Sequence, residues 1–270
     1  MKKPVNVLLS IIGVAAALPA LAQSPDVPDH PALRDKFYLG AGVFLPKTST
    51  SAQLNSSTLG IGTNVDFERT LGFEDSKSVP AFFARWRFGE RWRLEGEYFE
   101  LNRSGTRTLN RDIQWGDRVF AANSQLSSTF NFSDLRVSAG YSFFKTKDKE
   151  LGAGIGVHAA KYAISLDTLN AGSENEKVTA PLPVLSLYGQ FALTDRWAVG
   201  GRLDRFSLNY DKYEGSLTSL NLDLLYQPFK NFGFGAGYRA LAIRGKVMDA
   251  RELEFQQTFQ GPMLYVTASF

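Results

Sequence analysis

The stretch Asp134-Leu135-Arg136-Val137-Ser138-Ala139-Gly140-Tyr141-Ser142-Phe143 decides the fold. Leu135, Val137, Ala139, Tyr141 and Phe143 are apolar or aromatic, and the residues between them are polar or glycine. A period of two marks a strand whose faces meet different surroundings, because successive side chains of an extended chain point to opposite sides. The pattern repeats in both directions from there. Trp86 and Phe88 alternate with Arg85 and Arg87, and Trp92, Leu94, Gly96 and Tyr98 with Arg93, Glu95, Glu97 and Phe99. Further on, Leu151 to Val157 alternate with Gly152 to His158, Leu220 to Tyr226 with Ser219 to Gln227, and Phe232 to Tyr238 with Gly233 to Arg239.

A soluble β-sandwich would also alternate, so the connections and the aromatic residues discriminate. Short turns (Gly89-Glu90-Arg91, 145–149, Thr194-Asp195-Arg196, 227–231) take turns along the chain with long polar stretches at 47–78, 103–123, 168–179, 207–215 and 246–256. One end of tight turns and one of long loops is the pattern of an outer-membrane barrel. At the tight-turn end stand Phe37, Phe88, Trp92, Phe143, Phe191, Trp197, Tyr226, Phe232 and Phe270. Such a periplasmic girdle places amphipathic rings at headgroup depth. The expected architecture is therefore an all-β, antiparallel transmembrane β-barrel. About ten strands are expected, at 36–46, 78–88, 92–102, 124–144, 150–166, 180–193, 197–210, 215–227, 232–245 and 257–270, with eight or twelve as alternatives. An even number closes every edge, as hydrocarbon demands, and returns both termini to one side. Segment 47–77 either adds a hairpin, from 48–56 and 63–67, or lengthens the first two strands.

Composition narrows the function classes. The chain has 270 residues, 44% hydrophobic and 13% aromatic, with no Cys and only two His, His30 and His158. Disulfides, thiolate metal sites and Cys nucleophiles are thereby excluded. Lys2 and Lys3, the apolar run 5–18 and Ala20-Leu21-Ala22 have the layout of a Sec-type signal peptide over 1–22. The run is short for an uncleaved spanning helix. Residues 1–22 hold two Lys and no acid, so cleavage takes the formal charge from +3 to +1. The basic balance therefore gives no sign of nucleic acid. Residues 23–35, rich in Pro and Asp, read as an exposed periplasmic lead-in with a solvated His30, and 36–270 as the barrel. The expected location is the outer membrane of a Gram-negative cell.

Several segments carry a family likeness. They are Gly62-Thr63-Asn64-Val65-Asp66-Phe67-Glu68 with Leu71-Gly72, then Arg85-Trp86-Arg87-Phe88 followed by Arg91-Trp92-Arg93-Leu94-Glu95, Tyr98-Phe99 and Arg103-Ser104-Gly105-Thr106-Arg107. Gly116-Asp117, Tyr213-Glu214-Gly215 and Gly261-Pro262-Met263-Leu264-Tyr265 complete the set. In these the chain resembles a group of uncharacterised proteobacterial outer-membrane β-barrel proteins. The resemblance implies fold and location and carries no activity with it.

By alternation the inward face gathers Arg85, Arg87, Arg93, Glu95, Glu97, Asp134, Arg136, His158, Arg202, Asp204, Asp223 and Arg239. Barrels of roughly eight strands are filled by side chains, and an open channel needs roughly twice as many. Mixed charge in a narrow lumen suits a plug of salt bridges, with a structural or surface-interaction role. A narrow porin-like passage for small ions or solutes is the alternative. A lipid-modifying enzyme is the remote one, with His158 as base and Ser138 or Ser186 across a strand as nucleophile. Gly235-Ala236-Gly237-Tyr238-Arg239-Ala240 fits a dinucleotide fingerprint only in spelling, since the alternation continues through it and no helix follows. The glycines at 152, 154, 156, 233, 235 and 237 are expected to leave room for arginine side chains. Outer-loop charges (Asp66, Glu68, Arg69, Glu74 and Asp75; Arg103, Arg107, Arg111, Asp112, Asp117 and Arg118) read as solvated, with contact to lipopolysaccharide phosphates as the alternative. No catalytic set, cofactor or metal site is expected, and the chain reads as a non-enzymatic monomer. Expected partners are outer-membrane lipids and lipopolysaccharide, together with the barrel-assembly machinery through the C-terminal strand ending at Phe270.

Overall fold

A computed structural model describes residues 27–56, 58–168, 172–211, 213–248 and 252–270. The signal peptide expected at 1–22 and the first residues of the lead-in lie outside the described residues. A helical turn, α1 (Pro31–Arg34), precedes β1 (Phe37–Phe44) and β2 (Lys47–Leu54). Next come β3 (Val65–Asp66), the turn α2 (Phe67–Thr70), β4 (Val79–Phe88), β5 (Trp92–Thr108), β6 (Ile113–Trp115) and β7 (Arg118–Phe120). The chain ends with β8 (Gln125–Lys145), β9 (Lys149–Thr168), β10 (Gly172–Ala192), β11 (Trp197–Tyr210), β12 (Tyr213–Tyr226), β13 (Phe232–Val247) and β14 (Leu253–Ser269).

Ten of these strands close an antiparallel barrel in the order β1-β4-β5-β8-β9-β10-β11-β12-β13-β14, with β14 returning to β1. Closure reaches the last residue: Phe37 N–H donates to the Phe270 carbonyl, and Phe270 N–H to that of Phe37, both at 2.9 Å. β1 and β2 act as one interrupted strand along β14, pairing Phe44 with Met263 and then Lys47 with Gln260. The break falls at Leu45-Pro46, where proline has no N–H for the ladder. Segment 47–77 thus lengthens the first strand. Its second piece, β3, pairs only Ser51 and Ala52 of β2.

Three strands start or end four or more residues farther out than the alternation suggests. β5 runs to Thr108 rather than 102, β10 starts at Gly172 rather than 180, and β14 at Leu253 rather than 257. Along β8 the apolar side changes partway. Leu135, Val137 and Tyr141 are exposed on the outer wall, whereas Phe130 and Phe132 are buried inside. Below the switch the wall meets hydrocarbon; above it the wall meets water and the apolar groups turn inward. β5 does the same between Tyr98 and Leu101, and β14 between Leu264 and Phe259.

The tight turns behave as expected. Gly89 closes the β4–β5 turn at φ +66° and places Phe88 opposite Trp92. The lead-in does not. Residues 29–34 tuck into the mouth at the tight-turn end, where His30, Ala32 and Leu33 are buried. His30 caps α1, its Nδ1 accepting from Ala32 N–H at 3.1 Å. The expected solvated histidine is a buried one, because Pro31 at the first helical position starts a turn that the mouth can bury.

Candidate functional site

Alternation sends every second residue of each strand into the lumen, and there the charges meet. Arg87 lies opposite Arg93 across the β4–β5 ladder, and Arg85 opposite Glu95. Two arginines side by side repel unless a carboxylate bridges them. Glu150, from the start of β9, does so. It accepts from Arg87 at 2.6 and 2.7 Å and from the Ser142 hydroxyl at 2.5 Å, with Arg93 3.8 Å away. Glu150 is fully buried. It was missed in the sequence because it sits at a turn-flanking position, although the alternation that places Gly152 and His158 inward already points it there. The Arg93 guanidinium stacks 3.0 Å above the Tyr188 ring.

One layer outward, Glu95 gathers Arg93 at 3.3 Å, Arg136 at 3.6 Å and Arg202 at 3.0 Å. Arg202 also reaches Glu97 at 2.5 Å and Asp204 at 3.3 Å. Arg136 Nε donates to Asp204 at 2.8 Å, and Arg239 pairs with Asp223 at 2.9 Å. His158 Nδ1 donates to Asp134 at 2.8 Å, and its Nε2 stands 3.7 Å from Asp204. All twelve inward residues read from the sequence thus lie in one connected network, with Glu150 as an added member. Arg85 is tied to the Gln190 amide oxygen at 3.0 Å and to the Ala32 carbonyl, which also accepts from Arg87 at 3.0 Å. The N-terminal plug and the ion network are one structure. Voids of about 90 and 20 Å³ remain among these side chains, room for a few waters.

Of the lumen glycines, Gly237 lies as expected beside an arginine, its Cβ position 3.1 Å from Arg239 Nη1, whereas Gly152 and Gly235 face tyrosines. A Cβ at Gly152 would fall 2.2 Å from the Tyr188 ring, and one at Gly235 2.1 Å from the Tyr265 ring. They make room for tyrosines, which in turn carry Arg93 and, through a 2.7 Å bond from the Tyr265 hydroxyl, Asp223. The girdle residues Trp92, Phe143, Trp197, Phe232 and Phe270 are exposed on the wall, with the Trp197 ring centroid 4.5 Å from that of Tyr226 and tilted to it by 31°.

Above the charges comes an aromatic layer that the sequence reading passed over. Phe132 and Phe259 stack at 4.7 Å, with Phe44 and Phe99 5.6 Å apart beside them. Residues 65–73 pack inward, burying Phe67, Leu71 and Phe73; Glu68 is drawn in with Arg103, whereas Arg69, Glu74 and Asp75 stay exposed, as expected of loop charge. Arg103 Nη1 donates to Glu68 at 2.5 Å and Arg103 Nη2 to the Thr50 hydroxyl at 2.8 Å, all inside the rim. Beyond it the barrel holds a mostly apolar chamber of about 700 Å³, walled by Phe67, Trp115, Tyr162, Leu182, Phe206 and Ile243 among others.

Neither serine proposed as a nucleophile touches His158. Ser138 accepts from Arg136 at 2.8 Å, and Ser186 donates to Asp204 at 2.5 Å.

Comparison with known proteins gives the fold class. No protein-family model matches the chain, and no curated protein does. Solved outer-membrane barrels do. The outer membrane protease OmpT from Escherichia coli matches over 86% of this chain and 97% of its own, at 9% identity and TM-score 0.57. The toluene transporter TodX from Pseudomonas putida covers 90% and 93% at 9% identity and TM-score 0.34. Neisserial surface protein A covers 87% and 97% at 15% identity and TM-score 0.32. By fold the chain is an outer-membrane β-barrel with transmembrane strands. The expectation that it is not an enzyme is corrected by the first of these matches. A protease is built on the same architecture, so the lack of Cys and the scarcity of His do not exclude catalysis. At 9% identity the likeness establishes the fold and assigns no activity.

Proposed function

We propose that this protein is a plugged barrel of the Gram-negative outer membrane, monomeric, with its long loops at the cell surface and a lumen that does not conduct. The observation that carries the reading is the succession of seals along the lumen: the N-terminal plug on Arg85 and Arg87, the ion network from Glu150 to Asp134, and the ring of Phe44, Phe99, Phe132 and Phe259. Six arginines (Arg85, Arg87, Arg93, Arg136, Arg202, Arg239) face six carboxylates (Glu95, Glu97, Asp134, Glu150, Asp204, Asp223) in that network. A balanced set builds no selective field for either ion sign. The final strand, alternating Leu264, Val266, Ala268 and Phe270, suits recognition by the barrel-assembly machinery. Outer-membrane lipids and lipopolysaccharide are its surroundings.

Planar-bilayer recording of the purified mature chain tests the reading. The expected trace is silent. Stable conductance steps with a defined ion preference would replace the plug with a narrow pore.

A further inference from the structure

The β10–β11 ladder of the barrel wall stops short, and the apolar chamber lies behind the gap. β10 and β11 pair from Ala192–Ala198 up to Leu185–Arg205 and no farther. Beyond that point β10 stays bonded to β9 as far as Gly172, and β11 to β12 as far as Tyr210, so the two strands part company. The cause is in the sequence. Continuing the register would set Pro183 opposite Ser207 and Pro181 opposite Asn209. The β9 ladder passes both prolines without a break. Their missing N–H groups therefore fall on the β11 side, where the next two bonds would form.

The seam starts where the lipid-facing band ends. Leu185 and Leu187 on β10 and Leu203 on β11 are exposed on the outer wall, and Arg205 follows. Arg205 at the foot of the seam and Lys177 higher on β10 are exposed, with Lys161 exposed one strand away on β9. Behind the seam the chamber is lined from both parted strands, by Leu182 and Pro183 on one side and Phe206 and Leu208 on the other. At about 700 Å³ it falls within the usual range of small-molecule sites, roughly 300–1,000 Å³. Two facing glycines, Gly215 and Gly245, widen it further. An apolar space of this size left to water is unfavourable.

We propose that the chamber binds an acyl chain of a phosphate-bearing lipid from the outer leaflet, admitted sideways through the seam between β10 and β11. Apolar walls take the chain, and the basic rim meets the phosphate at the height where headgroups lie.

Trp115 reports on the site. It lines the chamber, whereas Trp86, Trp92 and Trp197 are exposed on the outer wall. With those three changed to Phe, the mature chain is reconstituted in vesicles containing a phospholipid brominated along one acyl chain. Bromine quenches indole only at contact, so loss of most of the Trp115 emission is expected. Gly215→Leu with Gly245→Leu fills the chamber and should restore emission. A Cβ at Gly245 meets nothing within 4 Å, and one at Gly215 has its nearest atom 3.6 Å away, so the barrel should survive, as checked by its heat-modifiable gel mobility. Linking Pro183→Cys to Ser207→Cys, by disulfide or a short bis-maleimide, should also restore emission. Unquenched Trp115 in the parent barrel overturns the site, quenching that survives the filled chamber overturns its location, and quenching that survives the link overturns the route. None of these outcomes bears on the conductance recording, so the two readings stand or fall separately.

Discussion

Glu150 shows how much one buried carboxylate holds in place. It is the close counter-ion of Arg87, has Arg93 nearby and accepts from Ser142. Removing one partner of a buried ion pair strands the other, at a cost of roughly 3–5 kcal/mol, while removing both costs much less. Glu150→Gln should therefore lower the melting temperature in detergent markedly, and Arg87→Met added to it should recover part of the loss. If both variants melt like the parent, the network does not hold the barrel together. Glu95→Gln is not rescued by Arg85→Gln on this geometry, since Glu95 answers to Arg93, Arg136 and Arg202 while Arg85 bonds Gln190 and the plug. Strand register made Arg85 and Glu95 neighbours and was legible from a three-residue turn; where long side chains go inside a closed lumen was not. A second prediction concerns His30. Burial pushes its pKa below the ordinary value, outweighing the Arg196 carbonyl and the nearby Asp35 and Asp195. With the docked pKa lowered, the undocked segment binds more protons, so docking is at full strength above the undocked value of roughly 6.5 and weakens as pH falls through it. Hydrogen exchange over residues 27–35, corrected for intrinsic rates, should quicken from neutral to mildly acidic pH. In His30→Asn, which keeps a capping acceptor without the titration, that dependence should vanish; an unchanged dependence would assign it to another group.

At the level of elements, proline sets where strands stop pairing. Pro181→Thr with Pro183→Thr supplies the missing donors, and β-branched residues suit a strand. The β10–β11 ladder is then expected to extend, slowing amide exchange at Phe206–Asn209; unchanged exchange there would mean that something other than the prolines parts the strands. Strand existence was readable in the sequence because each strand's lipid-facing half alternates without a gap, as Leu135 to Phe143 do. The outer ends were harder to place. Along the outer end of β10, Ser173 to Lys177 are polar in succession, and no alternation remains to mark the strand. The aromatic layer did leave a trace. The apolar side of β8 passes from Leu135 to Phe132, so the phase of alternation inverts. Such an inversion marks the height at which a strand leaves hydrocarbon; the expected strand over 124–144 spans it without a change of facing.

The molecule as a whole divides by height: charge below, aromatic rings in the middle, an apolar chamber above, and a wall whose apolar side chains face outward alongside the charges. Fold class followed from alternation and turn lengths, since closure leaves a barrel few other ways to satisfy its backbone. The chamber did not, because it depends on loops folding inward and on one ladder failing. The mutual bonding of Phe37 and Phe270 carries a separate consequence. Ends that meet make a barrel a candidate for circular permutation. A flexible spacer joins Phe270 to the residues ahead of Phe37, with new ends opened in the connection between β13 and β14. Such a permutant keeps every strand pairing yet no longer presents an aromatic carboxy-terminus. On the proposed role of the final strand in assembly, it should refold in detergent micelles while stalling in the cell, separating the instructions for shape from the address label.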